Sequence, residues 1–177
     1  IFCSIEVSAQ ITPLWEKSQA TSSLPSYIGI ANNERGFGYG VVNGNPRLYI
    51  ATMTGSPRAV ILNALTGDSV GVLSGTGISG GTLTLTDMEV SADGIIFGCN
   101  LVTSSGAGTA AFKIYKWTSE SADPVVAATY ETGAMRLGDK FTVVGSASDN
   151  SLTIYASSAS STRYVKFTTT DNGATFT

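Results

Sequence analysis

The 177-residue chain contains no histidine and only two cysteines, Cys3 and Cys99. The absence of histidine excludes histidine-activated nucleophiles, histidine general bases and histidine metal ligands. Two cysteines are too few for a structural zinc site within the chain. Charged residues make up only 13% of the sequence, about half of the quarter that is usual for globular proteins. We therefore expect no metal or other cofactor, and no catalytic constellation is recognisable.

Two classes of partner are disfavoured for lack of the necessary residues. Ten Lys and Arg residues are scattered among 13 acidic ones, giving a formal net charge of -3. Binding of nucleic acid normally needs a basic patch, so no nucleic-acid partner is expected. No apolar run reaches the roughly 18 residues of a membrane-spanning helix, so no membrane span is expected either.

The first nine residues are typical of the end of an export signal. Val7 and Ala9 stand at the small-residue positions that signal peptidase recognises. Residues 1–9 are therefore predicted to be the remnant of a signal peptide, and residues 10–34 an extended segment that leads into the strands. An ordinary first strand is the alternative interpretation of residues 1–9. The missing initiator Met and basic start indicate a fragment.

Glycine, serine and threonine are abundant, and short alternating runs are separated by turns. In the clearest example, Met88 and Val90 alternate with polar residues, Ala92-Asp93-Gly94 supplies a turn, and an Ile95-Ile96-Phe97 run follows. A set of four such strands occurs three times, and the last set is incomplete. The residues before each set, Arg35, Asp87 and Asp139, lie 52 residues apart in sequence (35 to 87, and 87 to 139).

A four-strand unit that repeats every 40 to 50 residues or so is typical of a β-propeller blade. Residues 35–177 are therefore predicted to be all-β, a propeller fragment of about three four-stranded antiparallel blades that is truncated at the C-terminus. A β-sandwich is the alternative, because short strands and tight turns suit both folds.

The polar residues at the start of each predicted inner strand are the candidate binding site. Such positions open at one end of a propeller's channel, so side chains that are distant in sequence converge there and would suit a small polar ligand. Pairing of these charges between neighbouring blades is the structural alternative. The candidate residues are Glu34, Arg35, Asp87, Asn100, Arg136 and Asp139.

Near the C-terminus, Thr169-Thr170-Asp171-Asn172-Gly173-Ala174-Thr175-Phe176 resembles the Asp-box of sialidase-type propellers. In that family the Asp-box is a structural hairpin between the third and fourth strands of a blade. The resemblance implies architecture alone, because the catalytic residues of that family have no recognisable counterpart in this sequence.

Five further segments carry a second resemblance: Pro13 to Ser18, Asn33 to Gly36, Leu65 to Gly71, Lys113 to Trp117 and Arg136 to Asp139. Through these segments, residues 12–177 resemble a family of secreted bacterial propellers of unknown function found among type IX secretion cargo. The resemblance implies an exported bacterial propeller, secreted or on the cell surface, and brings no established chemistry.

Three functions are consistent with these patterns. The favoured one is a secreted, non-catalytic module that binds a glycan or a cell-surface protein at the channel mouth. The second is a polysaccharide hydrolase or lyase that uses Asp87 and Asp139 as paired carboxylates. The third is a purely structural or assembly module. Whether the chain is an enzyme is left open by the sequence.

Overall fold

The computed structural model describes residues 12–18, 25–29, 31, 33–159 and 161–177, so the signal-peptide prediction for residues 1–9 lies outside the described residues. The described chain is all-β and forms three antiparallel sheets, in which each strand pairs with the next one along the chain. Sheet 1 comprises β1 (Glu34–Val42), β2 (Asn45–Thr52), β3 (Arg58–Asn63) and β4 (Ser69–Leu73). Sheet 2 comprises β5 (Leu83–Val90), β6 (Ile96–Leu101), β7 (Phe112–Trp117) and β8 (Val125–Tyr130). Sheet 3 comprises β9 (Phe141–Val144), β10 (Thr153–Ser157) and β11 (Tyr164–Thr168).

Sheet 2 lies between the other two sheets and is covered on both faces. One hydrophobic cluster joins Tyr49 and Ile61 of sheet 1 to Tyr115 and Trp117 of sheet 2. A second cluster joins the opposite face of sheet 2 to sheet 3 through residues such as Phe97 and Phe141. All six residues of β6 are buried, which agrees with the continuous apolar run that begins at Ile95. Burial of both faces makes sheet 2 the centre of the core.

The first strand of sheet 1 lies directly against the first strand of sheet 2. Gly36, Gly38 and Gly40 alternate along β1 and face β5, where a Cβ on any of them would overlap atoms of residues 86–90. Glycine within a strand is typical of such close backbone approach. The next pair of first strands, β5 and β9, is also in contact.

The strand boundaries correct part of the sequence interpretation. Asp87 was expected immediately before a strand that starts at Met88, yet β5 begins at Leu83 and places Asp87 at its middle. Glu34 and Arg35 are likewise the first residues of β1 rather than residues ahead of it. Despite their equal spacing in sequence, Arg35 therefore lies at the start of β1 and Asp87 in the middle of β5, whereas Asp139 lies two residues before β9. Sheet 3 has three strands, and Thr177 exchanges two backbone hydrogen bonds with Thr168 where a fourth was expected to start.

The described part of the N-terminal segment lies on sheet 1. The Trp15 indole donates a hydrogen bond of 2.9 Å to the Ala64 carbonyl, and its ring covers Gly67 in the β3–β4 turn. Lys17 forms an exposed ion pair of 3.0 Å with Asp68 in the same turn. Among the described residues there is no helix with the length and apolar character needed to cross a membrane.

Candidate functional site

The candidate residues divide into a charged cluster between the sheets and two positions with separate roles. We define the cluster as Arg35, Asp87, Glu89, Arg136, Asp139 and Lys140. It lies where β1, β5 and the segment preceding β9 meet. Glu34 and Asn100, the other two predicted residues, are bonded elsewhere in the fold.

Asp87 connects sheet 2 to sheet 3. Its side chain is only 2% exposed and accepts a hydrogen bond of 2.9 Å from Lys140 Nζ and one of 3.2 Å from the Phe141 N–H. Burial raises the pKa of Asp87, and the neighbouring Lys140 offsets part of that rise. A carboxylate enclosed in this way holds β9 in place and is closed to solvent.

Asp139 is held by two arginines. Arg136 donates two hydrogen bonds to it, of 2.6 and 2.7 Å, and Arg35 of β1 approaches to 3.9 Å. The hydrogen bonds from Arg136 lower the pKa of Asp139 more than burial raises it. The side chains of all three residues are about one-third exposed, so this part of the cluster reaches the surface.

Glu34 belongs to the end of sheet 1 rather than to the cluster. Its carboxylate accepts hydrogen bonds from the hydroxyls of Thr52 (3.0 Å) and Thr54 (2.9 Å) and from the Gly29 N–H (3.2 Å). Burial raises the pKa of Glu34, but the hydrogen bonds from Gly29, Thr54 and Thr52 together outweigh burial and lower the pKa. The carboxylate thereby fastens the segment before β1 to the end of β2.

Asn100 is fully buried in β6, and its amide is bonded to the backbone at the start of β7. Its Nδ2 donates to the Ala111 carbonyl at 3.0 Å, and its Oδ1 accepts from the Lys113 N–H at 2.8 Å. The Asn100 amide thereby satisfies the hydrogen-bonding needs of two backbone groups at the entry to β7, while its own donor and acceptor are both bonded. In this position Asn100 contributes to the stability of sheet 2.

Sequence reasoning missed two members of the cluster, Glu89 and Lys140. Glu89 stands two residues after Asp87, so the period of a strand places both carboxylates on one face of β5. Burial, and secondarily the charge of Asp87, raise the pKa of Glu89 to about 7. Lys140 directly precedes β9, and its ion pair with Asp87 links two residues that are far apart in sequence.

The raised pKa of Glu89 predicts a pH-dependent stability. The folded protein holds the Glu89 proton up to about pH 7, whereas the unfolded chain releases it near the ordinary glutamate pKa of 4.5, so stability is lost as the pH rises from about 4.5 to about 7. Glu89→Gln is therefore expected to raise the free energy of unfolding at pH 8 by about 1–2 kcal/mol, after allowance for solvent screening. Urea unfolding of the variant and the wild type at pH 8 and pH 4 measures this difference.

At pH 4 the Glu89→Gln variant and the wild type are expected to be nearly equal in stability. Glu131→Gln is the matched control, because Glu131 is exposed just after β8. An equal gain for Glu89→Gln at pH 4 and pH 8 would contradict the assignment, since a neutral packing effect does not depend on pH.

The described residues contain no group of three or more acidic or cysteine side chains that could hold a metal ion. The interactions that the cluster does show are paired charges and hydrogen bonds from Arg136, Lys140 and the Phe141 N–H. Lys140 is the most exposed member, with a side chain 62% accessible.

Comparison with known proteins identifies a shared fold. No protein-family profile matches the chain, and no curated protein sequence matches it significantly. The chain is similar to the crystal structure of a DUF4623 family protein from Bacteroides eggerthii DSM 20697, with a TM-score of 0.63 and 20% identity. The match covers 82% of this chain and 33% of that one, so the chain spans about a third of the length of the structure it matches. At this identity the likeness shows an all-β fold in common.

Proposed function

We propose that this chain is part of a secreted, non-catalytic bacterial β-propeller that binds a glycan or a cell-surface protein at the exposed side of the charged cluster. The observation that carries the non-catalytic assignment is the pairing of the two candidate carboxylates: Asp87 with Lys140, and Asp139 with Arg136. A glycosidase needs one free acid and one free base on opposite sides of the scissile bond. Asp87 is closed to solvent and Asp139 is held in a bidentate pair, which disfavours the hydrolase.

The order of packing supports the propeller. Three consecutive antiparallel sheets lie side by side, with β1 against β5 and β5 against β9, as inner strands of adjacent blades do. A sandwich needs only two packed sheets. The turn from Thr169 to Thr175 resembles an Asp-box. Its Asp171 carboxylate accepts hydrogen bonds from the Thr175 N–H and from the hydroxyls of Thr169 and Thr175.

The uncovered face of sheet 1 supports the same interpretation. Phe37, Tyr39 and Val41 of β1 are each at least half exposed, together with Val70 and Val72 of β4 at about half. Neighbouring apolar side chains exposed on one face of a sheet are typical of a contact surface. In a propeller, the neighbouring blade on that side would cover it.

Binding at the cluster is tested with a glycan array and with extracts of bacterial cell surfaces. Arg35→Ala and Lys140→Ala are each expected to lower the affinity for a ligand found in either screen at least tenfold, because both cations present hydrogen-bond donors at the surface. Lys17→Ala removes a cation that is paired with Asp68 in the β3–β4 turn, away from the cluster, and is expected to leave binding unchanged. Turnover of any glycan, or silence in both screens, would contradict the proposal.

A further inference from the structure

A groove of about 530 Å³ lies between the outer part of sheet 1 and the loop that joins β7 to β8. None of its lining residues belongs to the charged cluster, so the groove is a separate feature. Its volume falls within the range of small-molecule sites. One wall comes from the β2–β3 turn and the end of β4, and the other from the β7–β8 loop. The polar lining includes Ser56, Arg58, Thr76, Glu120 and Ser121.

The walls of the groove are tied to the core and to each other. The buried Trp117 indole donates a hydrogen bond of 2.9 Å to the Ser74 carbonyl, and the Ser74 hydroxyl donates to Asp123 of the β7–β8 loop. Gly75 lies so close to the Pro57 carbonyl that a Cβ there would overlap it. These contacts fix the shape of the groove before any ligand binds, which lowers the entropic cost of binding.

Arg58 has a half-buried side chain, and within the described part of the chain it makes no ion pair or side-chain hydrogen bond. Every other arginine in that part has such a partner: Arg35 and Arg136 bind Asp139, Arg47 binds Glu120, and Arg163 binds the Gly133 carbonyl. A partly desolvated guanidinium presents a planar set of donors that fits a carboxylate in bidentate fashion. Arg58 is therefore free to bind an anionic group in the groove.

Glu120 lines the same groove and carries the opposite charge. Its Oε1 accepts hydrogen bonds from Arg47 Nε (3.1 Å) and from the Tyr49 hydroxyl (2.9 Å), which orient the carboxylate. No described residue bonds to its Oε2, which remains an acceptor for a ligand hydroxyl. Ser56, Thr76 and Ser121 add exposed hydroxyls.

We propose that this groove binds an acidic saccharide, with the sugar carboxylate on Arg58 and the sugar hydroxyls on Glu120 and the surrounding Ser and Thr hydroxyls. A ligand that carries one anionic group and several hydroxyls matches one free cation, one free carboxylate oxygen and a lining rich in hydroxyls. The proposal is independent of the charged cluster and goes beyond the function proposed for it.

An extended acidic peptide fits the groove less well. Such a peptide would add a strand to the free edge of β4 and needs a regular edge for its backbone bonds. The pairing of β3 with β4 is irregular between Ile61 and Leu62, and the edge ends at Leu73. The chain's net charge of -3 gives an acidic ligand no long-range attraction, so recognition depends on Arg58.

The protein is titrated with a galacturonic acid trimer and, in parallel, with a neutral galactose trimer, and binding is measured by calorimetry and NMR. The acid is expected to bind and the neutral trimer to bind at least tenfold more weakly. Arg58→Gln is expected to lose at least tenfold in affinity for the acid, and Arg58→Lys to lose less, because a lysine keeps the charge without the bidentate geometry. Arg163→Gln, which removes the same charge from a distant exposed site, is expected to bind normally.

Far-UV circular dichroism and urea unfolding verify that each variant folds. If Arg58→Gln does not fold, the affinity of Arg58→Lys for the acid still tests the proposal. Equal binding of the acidic and neutral trimers, no binding of the acid, or full binding by Arg58→Gln would each overturn the proposal. So would displacement of the acid by an acidic peptide that binds the groove more tightly. Each of these results leaves the array test of the charged cluster unaffected, so the two proposals fail separately.

Discussion

Gly38→Ala is expected to lower the free energy of unfolding by about 3 kcal/mol, the upper end of the usual cost of overpacking. A Cβ at position 38 would lie 2.6 Å from the Met88 carbonyl oxygen and 2.9 Å from Glu89 Cα. Both are backbone atoms of β5 and cannot rotate away, so β1 must move off sheet 2. That movement would open the cluster that contains Tyr49 and Trp117.

Urea unfolding followed by tryptophan fluorescence measures the effect, because Trp117 is fully buried between sheets 1 and 2. Gly71→Ala is the matched control in β4 of the same sheet. Its Cβ would meet only the Ile61 Cδ1 atom, at 3.5 Å, which is an ordinary contact. The control is expected to change stability by no more than about 0.5 kcal/mol. A loss for Gly38→Ala no larger than that of the control would mean that β1 and β5 are not in close contact.

The glycines of β1 illustrate what the sequence reveals and what it withholds. Their alternation with Phe37 and Tyr39 predicts a strand, and glycine at every second position indicates that one face of that strand meets something closely. The alternation does not say what is met, because the partner strand lies about fifty residues away along the chain. The all-β class therefore followed from local pattern, and the packing of β1 on β5 required the structure.

The start of β5 was missed for a local reason. Residues 83–86 alternate leucine with threonine, which suits a strand, but they follow a Gly/Ser/Thr-rich connector whose composition resembles a loop. Placing the strand start at Met88 moved Asp87 from the middle of a strand to its end. The interpretation of Asp87 as a residue at a channel mouth depended on that boundary.

Only part of the charged cluster could be predicted from the sequence. The polar residues predicted ahead of strands include Arg35, Arg136 and Asp139, and in the structure both arginines contact Asp139. The sequence does not indicate Glu89, because its raised pKa comes from burial and from the charge of Asp87. It does not indicate Lys140 either, because its role is to bind a carboxylate on the neighbouring sheet. Desolvation depends on which sheets cover a side chain, and no spacing rule encodes that.

Asp87→Ala is expected to cost about 2–4 kcal/mol of stability at pH 7, with most of that cost coming from the Phe141 N–H. This buried donor loses its acceptor when the carboxylate is removed. Lys140, 62% exposed, returns to water and contributes little. The loss is measured by urea unfolding, with Asp68→Ala as the control for removal of an exposed, paired aspartate; we expect that control to be close to the wild type in stability.

Asp87→Asn separates the charge of Asp87 from its hydrogen bond. The amide oxygen of asparagine can still accept from the Phe141 N–H, and the neutral side chain escapes the desolvation that raises the pKa of Asp87. We therefore expect Asp87→Asn to lose less than half of what Asp87→Ala loses. If the two variants are equally destabilised, the ion pair with Lys140 is the essential contact, and sheets 2 and 3 are held together here by charge rather than by a buried backbone hydrogen bond.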